Sequence, residues 1–366
     1  MKQCKHCGFQ NDDNARFCSN CSSPLSETPP PYHDFSQNKS KSFIEHINEY
    51  VGNEHPTDLN WKMLFTSVLK KHTKEEAENI FICGTKRTTP SLEEVSREWP
   101  HPWLYSRVLL MFFFAFMLLY ICCDWFRNTN ALPGLIFIGA LTIPAATLVL
   151  FLEVNAYRNI SFYDVIQIFF IGGCASILAS IFLSAIFFWG ELDFIGALTV
   201  GIVEEVGKGI IIYYFIKKLS KRSILTGLLI GASVGAGFAA FESAGYALNI
   251  LIEYGWEDMI NNIYLRAFLS PGSHAVWAAI TGGAIMIATT NAQEITLNAT
   301  LNNRFFRLFA IPIILHFLWD SPLAGIGFSI LLVPILLSIL AWIVVLILIN
   351  MGLAQIPPAY IPKIGD

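Results

Sequence analysis

The chain has 366 residues, 54% hydrophobic and only 14% charged, with a formal net charge of −4 at pH 7. An ordinary globular protein is about a quarter charged, so one uniform soluble globule is excluded, and no basic field suggests nucleic acid as a partner. The charge is also uneven: residues 1–102 hold 12 basic and 14 acidic side chains, and all the residues after them hold another 12 and 14. That split predicts a water-exposed N-terminal third and a membrane-embedded remainder.

The first element is metal-binding in pattern. Cys4-Lys5-His6-Cys7 and Cys18-Ser19-Asn20-Cys21 are two CxxC turns, each able to present two thiolates to one tetrahedral zinc. Residues 1–25 are therefore expected to form a zinc ribbon with a closed, structural site, suited to docking a cytoplasmic protein. A redox role fits poorly, because no βαβ pattern surrounds either CxxC. The opening MKQCKHC contains no apolar stretch of a cleavable signal. Residues 26–42, with Pro29-Pro30-Pro31 and several Ser and Asn, read as a linker.

Residues 43–102 are expected to form a cytoplasmic helical segment. Trp61, Leu64, Phe65, Val68 and Leu69 are spaced as on one helical face, and Ser91-Leu92-Glu93-Glu94 has the form of a capping box. Trp99 to Trp103 (WPHPW) breaks the chain and suits an anchor at the membrane interface. Cys83, Cys122, Cys123 and Cys174 are expected to be inert thiols.

A spanning helix needs about 20 apolar residues. Eight runs qualify, over 104–123, 132–152, 165–188, 195–216, 224–248, 268–290, 305–320 and 327–352. The expected fold of residues 103–355 is an all-α polytopic membrane protein of about eight helices. With the N-terminus inside, the inner loops carry Arg158, Lys217, Lys218, Lys221, Arg222, Arg304, Arg307 and Lys363, and the outer loops only Arg127 and Arg266. That imbalance predicts both termini in the cytoplasm.

Ionisable side chains at bilayer depth are costly and mark function by default. They are Glu204, Glu205 and Lys208 in the fourth run, Glu242 in the fifth, His274 in the sixth and His316 in the seventh. At about 1.5 Å per residue, Glu204, Glu242, His274 and His316 all fall in the outer half of the bilayer. Glu204 and Lys208 are spaced to pair, which leaves Glu205 unexplained. Two His with two or three Glu suit either a metal site with an open position or a general base beside an oxyanion stabiliser. Gly227, Gly231 and Gly235 allow close helix approach. Ser270-Pro271-Gly272-Ser273 breaks the chain just before His274, as is tolerated where backbone lines a wet cavity.

Four segments in order, Glu204-Glu205-Val206-Gly207-Lys208, Gly231 to Glu242, Ser270 to His274, and His316 to Asp320, resemble the PrsW family of intramembrane proteases. That family is distantly similar to the CAAX-protease and bacteriocin-processing membrane proteins. The family often has Asn after the second-motif Glu, where this chain has Ser243. The resemblance, covering about residues 100–325, implies hydrolysis of a peptide bond in a single-span or membrane-associated protein near the outer face, an anti-sigma factor being one such substrate class. It implies Glu204, Glu205, Lys208, Glu242, His274 and His316 as the catalytic set. In one version His274, His316 and a Glu hold a catalytic zinc; in the other a Glu of the 204–205 pair activates water without metal. The rival readings are a proton-coupled transporter or channel, in which matching halves would be expected, a membrane-anchored zinc-ribbon scaffold, and a self-immunity protein.

Overall fold

A computed structural model of the chain describes residues 2–4, 7–11, 20, 41–53, 57–187, 191, 193–324 and 329–357. The chain divides into two compact units, Met1–Phe43 and Ile44–Asp366. In the first, β1 (Lys2–Gln3) and β2 (Gln10–Asn11) pair antiparallel, Lys2 opposite Asn11. The turn between them carries Cys4 and Cys7. The amide of Gly8, at φ +73°, bonds the Cys4 carbonyl. Cys18, Cys21 and the linker over 26–40 lie outside the described residues.

The second unit is helical among its described residues. It opens with α1 (Phe43–Val51) and α2 (Lys74–Phe81). The capping box that starts a helix is Thr73 with Glu76: the Thr73 hydroxyl accepts from the Glu76 amide, and the Glu76 carboxylate accepts from the Thr73 amide. At Ser91 the outcome differs from expectation. The Glu94 carboxylate accepts the Ser91 amide at 2.8 Å, but only a turn follows, because Pro90 and Pro100 bracket a segment too short to propagate a helix.

Six long helices follow: α3 (Leu104–Asp124), α4 (Leu132–Val154), α5 (Phe162–Phe187), α6 (Phe194–Leu219), α7 (Ile224–Glu253) and, after it, α8 (Trp256–Leu269). Then come α9 (His274–Ala288), α10 (Asn303–Asp320) and α11 (Ser329–Ala354). Five of these, α3, α4 with its preceding turn, α5, α7 and α11, are long and apolar enough to cross a membrane, and the protein is multi-pass. The expected count of eight is not reached on that measure, for physical reasons. α6 carries Glu204, Glu205 and Lys208 in its middle, α10 carries Arg304, Arg307 and Asp320, and α9 has only 15 residues. The run expected to be helical from 268 is interrupted until His274: Ser270–Gly272 forms a separate tight turn, in which Pro271 lacks a donor and Gly272 lies against Ser338.

α7 is the hub. Residues Ile224 to Ala240 are all buried. A Cβ at Gly227, Gly231 or Gly235 would run into α9 backbone, including the Ala278 and His274 carbonyls. A Cβ at Gly237 would strike the Phe169 carbonyl on the opposite side, where α5 contains a wide π-turn over Ile168–Gly172. The small residues therefore let α9 and α5 touch α7 backbone to backbone. α3, α5 and α6 turn Phe113, Phe114, Leu118, Phe182 and Ile195 outward, as lipid-facing helices do.

The segment before α3 is tied to one end of this bundle. Glu153, at the end of α4, accepts the backbone amides of Trp103, Leu104 and Tyr105 at 2.8–2.9 Å, capping α3 from another helix. Trp99 donates to Asn350, and Arg307 donates to the Tyr50 carbonyl while the Tyr50 hydroxyl donates back to that of Arg307. Cys83 is buried and its thiol donates to the Ile160 carbonyl; burial pushes that thiol up from its ordinary range, consistent with an inert cysteine. Cys123 is buried in the apolar cluster between α3 and α4.

Candidate active site

α6, α7, α9 and α10 bring the intramembrane ionisable residues together. Glu204, Glu205 and Lys208 occupy adjacent turns of α6. Lys208 and Glu205 are both 0% exposed, and the Lys208 ammonium lies 2.6 Å from Glu205 Oε1. Its distance to Glu204 Oε2 is longer, 3.5 Å. The expected Glu204–Lys208 pairing is thus secondary: the i,i+3 neighbour is the close partner. Gly207 makes room on the other side of α6, where a Cβ would press on Ser180.

Glu205 Oε1 also accepts from His316 Nδ1 at 2.9 Å. That fixes the ring and turns Nε2 towards Glu204 Oε2 at 3.6 Å and Asp320 Oδ2 at 3.2 Å. On the far side Lys208 Nζ lies 3.0 Å from His274 Nδ1. An ammonium has only protons to offer, so Nδ1 is the acceptor and Nε2–H donates to Glu242 Oε2 at 3.2 Å. The same Glu242 oxygen receives Arg266 Nη2 at 2.5 Å, and Arg266 Nε donates to Ser243 Oγ at 2.8 Å. The Lys208 ammonium also sits 4.2 Å from the Phe238 ring centre. His274 and His316 lie edge to face, their ring centroids 5.0 Å apart.

One hydrogen-bonded chain therefore runs Arg266–Glu242–His274–Lys208–Glu205–His316–Asp320. All six residues expected to be catalytic are in it or touch it. Two of its members were not expected. Asp320 ends α10 one turn after His316, and its place in the HFLWD segment was the available signal. Arg266 is expected from the sequence in an outer loop. It belongs to α8, whose Trp256, Met259, Ile260 and Ile263 recur at i, i+3, i+4 and i+7, a legible helical stripe that packs on α3, α4 and α7.

The cluster borders a cavity of about 490 Å³, lined by Glu204, Glu242, His274, His316 and Asp320 together with α8. Glu204 and Glu205 differ here. Oε2 of each is buried with no hydrogen-bond partner, but Glu205 is sealed between Lys208 and His316 whereas Glu204 lines the cavity. Single donor atoms of Glu204, His274 and His316 lie within 4.8 Å of one another. A carboxylate and two imidazoles form a donor set suited to zinc, and the orphaned Glu204 oxygen fits that use. The Glu205 carboxylate behind His316 Nδ1 is the outer partner a ligating imidazole takes. His274 would give up one of its two hydrogen bonds to become a ligand.

The fold and site define a class: a multi-pass helical membrane protein enclosing a polar, carboxylate- and histidine-lined cavity. The model of the PrsW family intramembrane metalloproteases matches residues 163–349, more than half the chain, and the chain belongs to that family. A zinc-ribbon domain matches residues 3–25. Protease PrsW of Oceanobacillus iheyensis is 30% identical over 121 residues, which is 33% of this chain and 49% of that protein. The chain thus matches about half the length of that relative. No solved structure matches.

Proposed function

We propose that the chain is an intramembrane peptidase that hydrolyses a peptide bond in a membrane-associated protein, with Glu204 as its central catalytic group. The observation that carries this reading is Glu204, which lines the cavity and whose buried Oε2 accepts no hydrogen bond, with Lys208 and His316 only at longer ion-pair distance. A carboxylate oxygen there can accept a proton from a water held between it and the scissile carbonyl. Lys208 balances the charge of Glu204 and Glu205. Glu205 holds His316 by Nδ1, so that Nε2 can hydrogen-bond the developing oxyanion or hand a proton to the leaving amine. Glu242 holds His274 by Nε2 while the ring Nδ1 accepts from Lys208, so His274 ties Glu242 to the Lys208–Glu205 pair.

In the alternative version Glu204 is a ligand and not the base: Glu204, His274 and His316 would hold a catalytic zinc, which when bound would polarise the carbonyl and lower the pKa of water. The zinc ribbon is proposed to hold a structural zinc through Cys4, Cys7, Cys18 and Cys21 and to dock a cytoplasmic protein. The basic-residue imbalance supports an N-terminus inside, which puts the cavity near the outer face. An anti-sigma-factor-like regulator is the substrate class the family resemblance suggests.

The test is a comparison of protein N-termini in membranes of cells making the intact chain or its Glu204→Gln variant. New N-termini on membrane proteins should appear with the intact chain and be absent with the variant. Identical profiles would sink the peptidase reading.

A further inference from the structure

α8 is a cavity wall of four residues that carries none of the expected catalytic ones. Asn262, Leu265, Arg266 and Leu269, at i, i+3, i+4 and i+7, face the cavity, while Met259, Ile260 and Ile263 are buried on the opposite side. Arg266 fastens this wall: it bonds Glu242 and Ser243, and its guanidinium lies 4.5 Å from the Tyr246 ring centre, so one side chain grips a full turn of α7.

Among the described residues, the buried side-chain oxygens without a hydrogen-bond partner that belong to cavity-lining residues are Glu204 Oε2, which has Lys208 and His316 at ion-pair distance, and Asn262 Oδ1. A buried acceptor without a hydrogen bond is destabilising, and these two belong to residues that line the cavity, where something that enters could supply the bond. The first faces water in the reading above. The second has different chemistry: a primary amide offers one acceptor and two donors, the complement of a backbone peptide unit. A substrate crossing the bilayer as a helix has its N–H and C=O groups engaged in its own ladder. Cutting it requires a short extended stretch, and the freed backbone groups then need partners at membrane depth.

We propose that Asn262 binds substrate, its side-chain amide pairing with a backbone peptide unit of the extended, unwound stretch of a membrane-spanning protein. Arg266 is the positioning residue that holds this wall to Glu242. The assignment rests on the peptidase reading, and the two fail differently, as follows from the experiment.

The full-length chain carrying Glu204→Gln, in lipid nanodiscs, is offered a dye-labelled single-span Leu/Ala peptide broken near one end by Gly-Pro, and binding is read by fluorescence anisotropy. The peptide is made with each backbone amide of the broken stretch replaced in turn by an ester, which removes one N–H. Adding Asn262→Leu should weaken binding about fivefold, the scale of one net hydrogen bond. It should also raise the melting temperature, because the orphaned oxygen is gone. One ester position should weaken binding to the Asn262 chain by a similar factor and have no further effect in the Asn262→Leu chain. Unchanged binding in Asn262→Leu, equal ester effects in both chains, or no binding of the peptide to the Asn262 chain would each overturn the proposal. In cells, membrane-protein N-termini that appear equally with the intact chain and with Asn262→Leu overturn this assignment and leave the peptidase reading standing. Their absence with the intact chain removes the peptidase reading itself.

Discussion

Glu204 and Glu205 are neighbours in sequence with opposite environments. Glu205 is sealed and accepts from both Lys208 and His316 through one oxygen, while Glu204 keeps an oxygen for the cavity. Neutralising Glu205 takes away the close partner of a buried ammonium, and breaking such a pair costs about 3 kcal/mol or more. Glu205→Gln should therefore lower the melting temperature markedly, with activity lost along with the fold. Glu204→Gln should melt like the unsubstituted chain and lose nearly all cleavage. Thermal unfolding in detergent alongside the N-terminal profile separates the two; a stable Glu205→Gln would show that the burial of this pair carries no structural weight. The two residues were legible as a pair because charge in an apolar run is conspicuous. Their division of labour was not, because i,i+3 and i,i+4 partners of Lys208 are equally reachable on a helix.

At the scale of elements, helix contact is decided by a few glycines. Gly231 of α7 faces the Ala278 carbonyl of α9, and an added Cβ would overlap it. Gly231→Ala should force α7 and α9 apart, cost about 1–3 kcal/mol by overpacking, and reduce cleavage by displacing His274 at the start of α9. Gly245, in the same helix, has nothing within 4 Å of an added Cβ. Gly245→Ala should be neutral or slightly stabilising, since alanine is favoured over glycine in a helix by about 1 kcal/mol. Equal melting temperatures for the two variants would contradict the packing argument. A second contrast concerns caps. Thr73→Ala should destabilise α2 by about 1 kcal/mol, measurable as faster amide exchange over Lys74–Phe81, whereas Ser91→Ala should leave exchange there unchanged because no helix follows it.

At the scale of the whole molecule, the two compact units predict that a chain lacking residues 1–42 still inserts and melts as the intact chain does. Metal analysis then assigns the zinc. If the ribbon alone binds it, the shortened chain retains none; about one zinc per shortened chain, lost in both Glu204→Gln and His316→Ala, would make those two residues ligands. Orientation is tested by reporters. One fused after Arg222 should be cytoplasmic and one near Glu191 should be outside, and the reverse pair would invert the topology and the depth assigned to the cavity.

The sequence by itself determined the class of protein. Apolar runs have nowhere to go but a bilayer, intramembrane charges stand out against them, and CxxC spacing names a zinc-ribbon segment. Those signals are local and strong, so the six expected residues could be read without coordinates. Tertiary structure alone decided what faces what. Asn262 and Arg266 look like ordinary polar residues between two spans until α8 folds back on α4 and α7. Glu204 differs from Glu205 only once α10 delivers His316, whose Nδ1 closes on Glu205 while Nε2 stays 3.6 Å from Glu204. The reason is physical: a helix fixes the spacing of its own side chains, but whether a polar atom is sealed, paired or left facing a cavity depends on atoms that other helices bring from far along the chain.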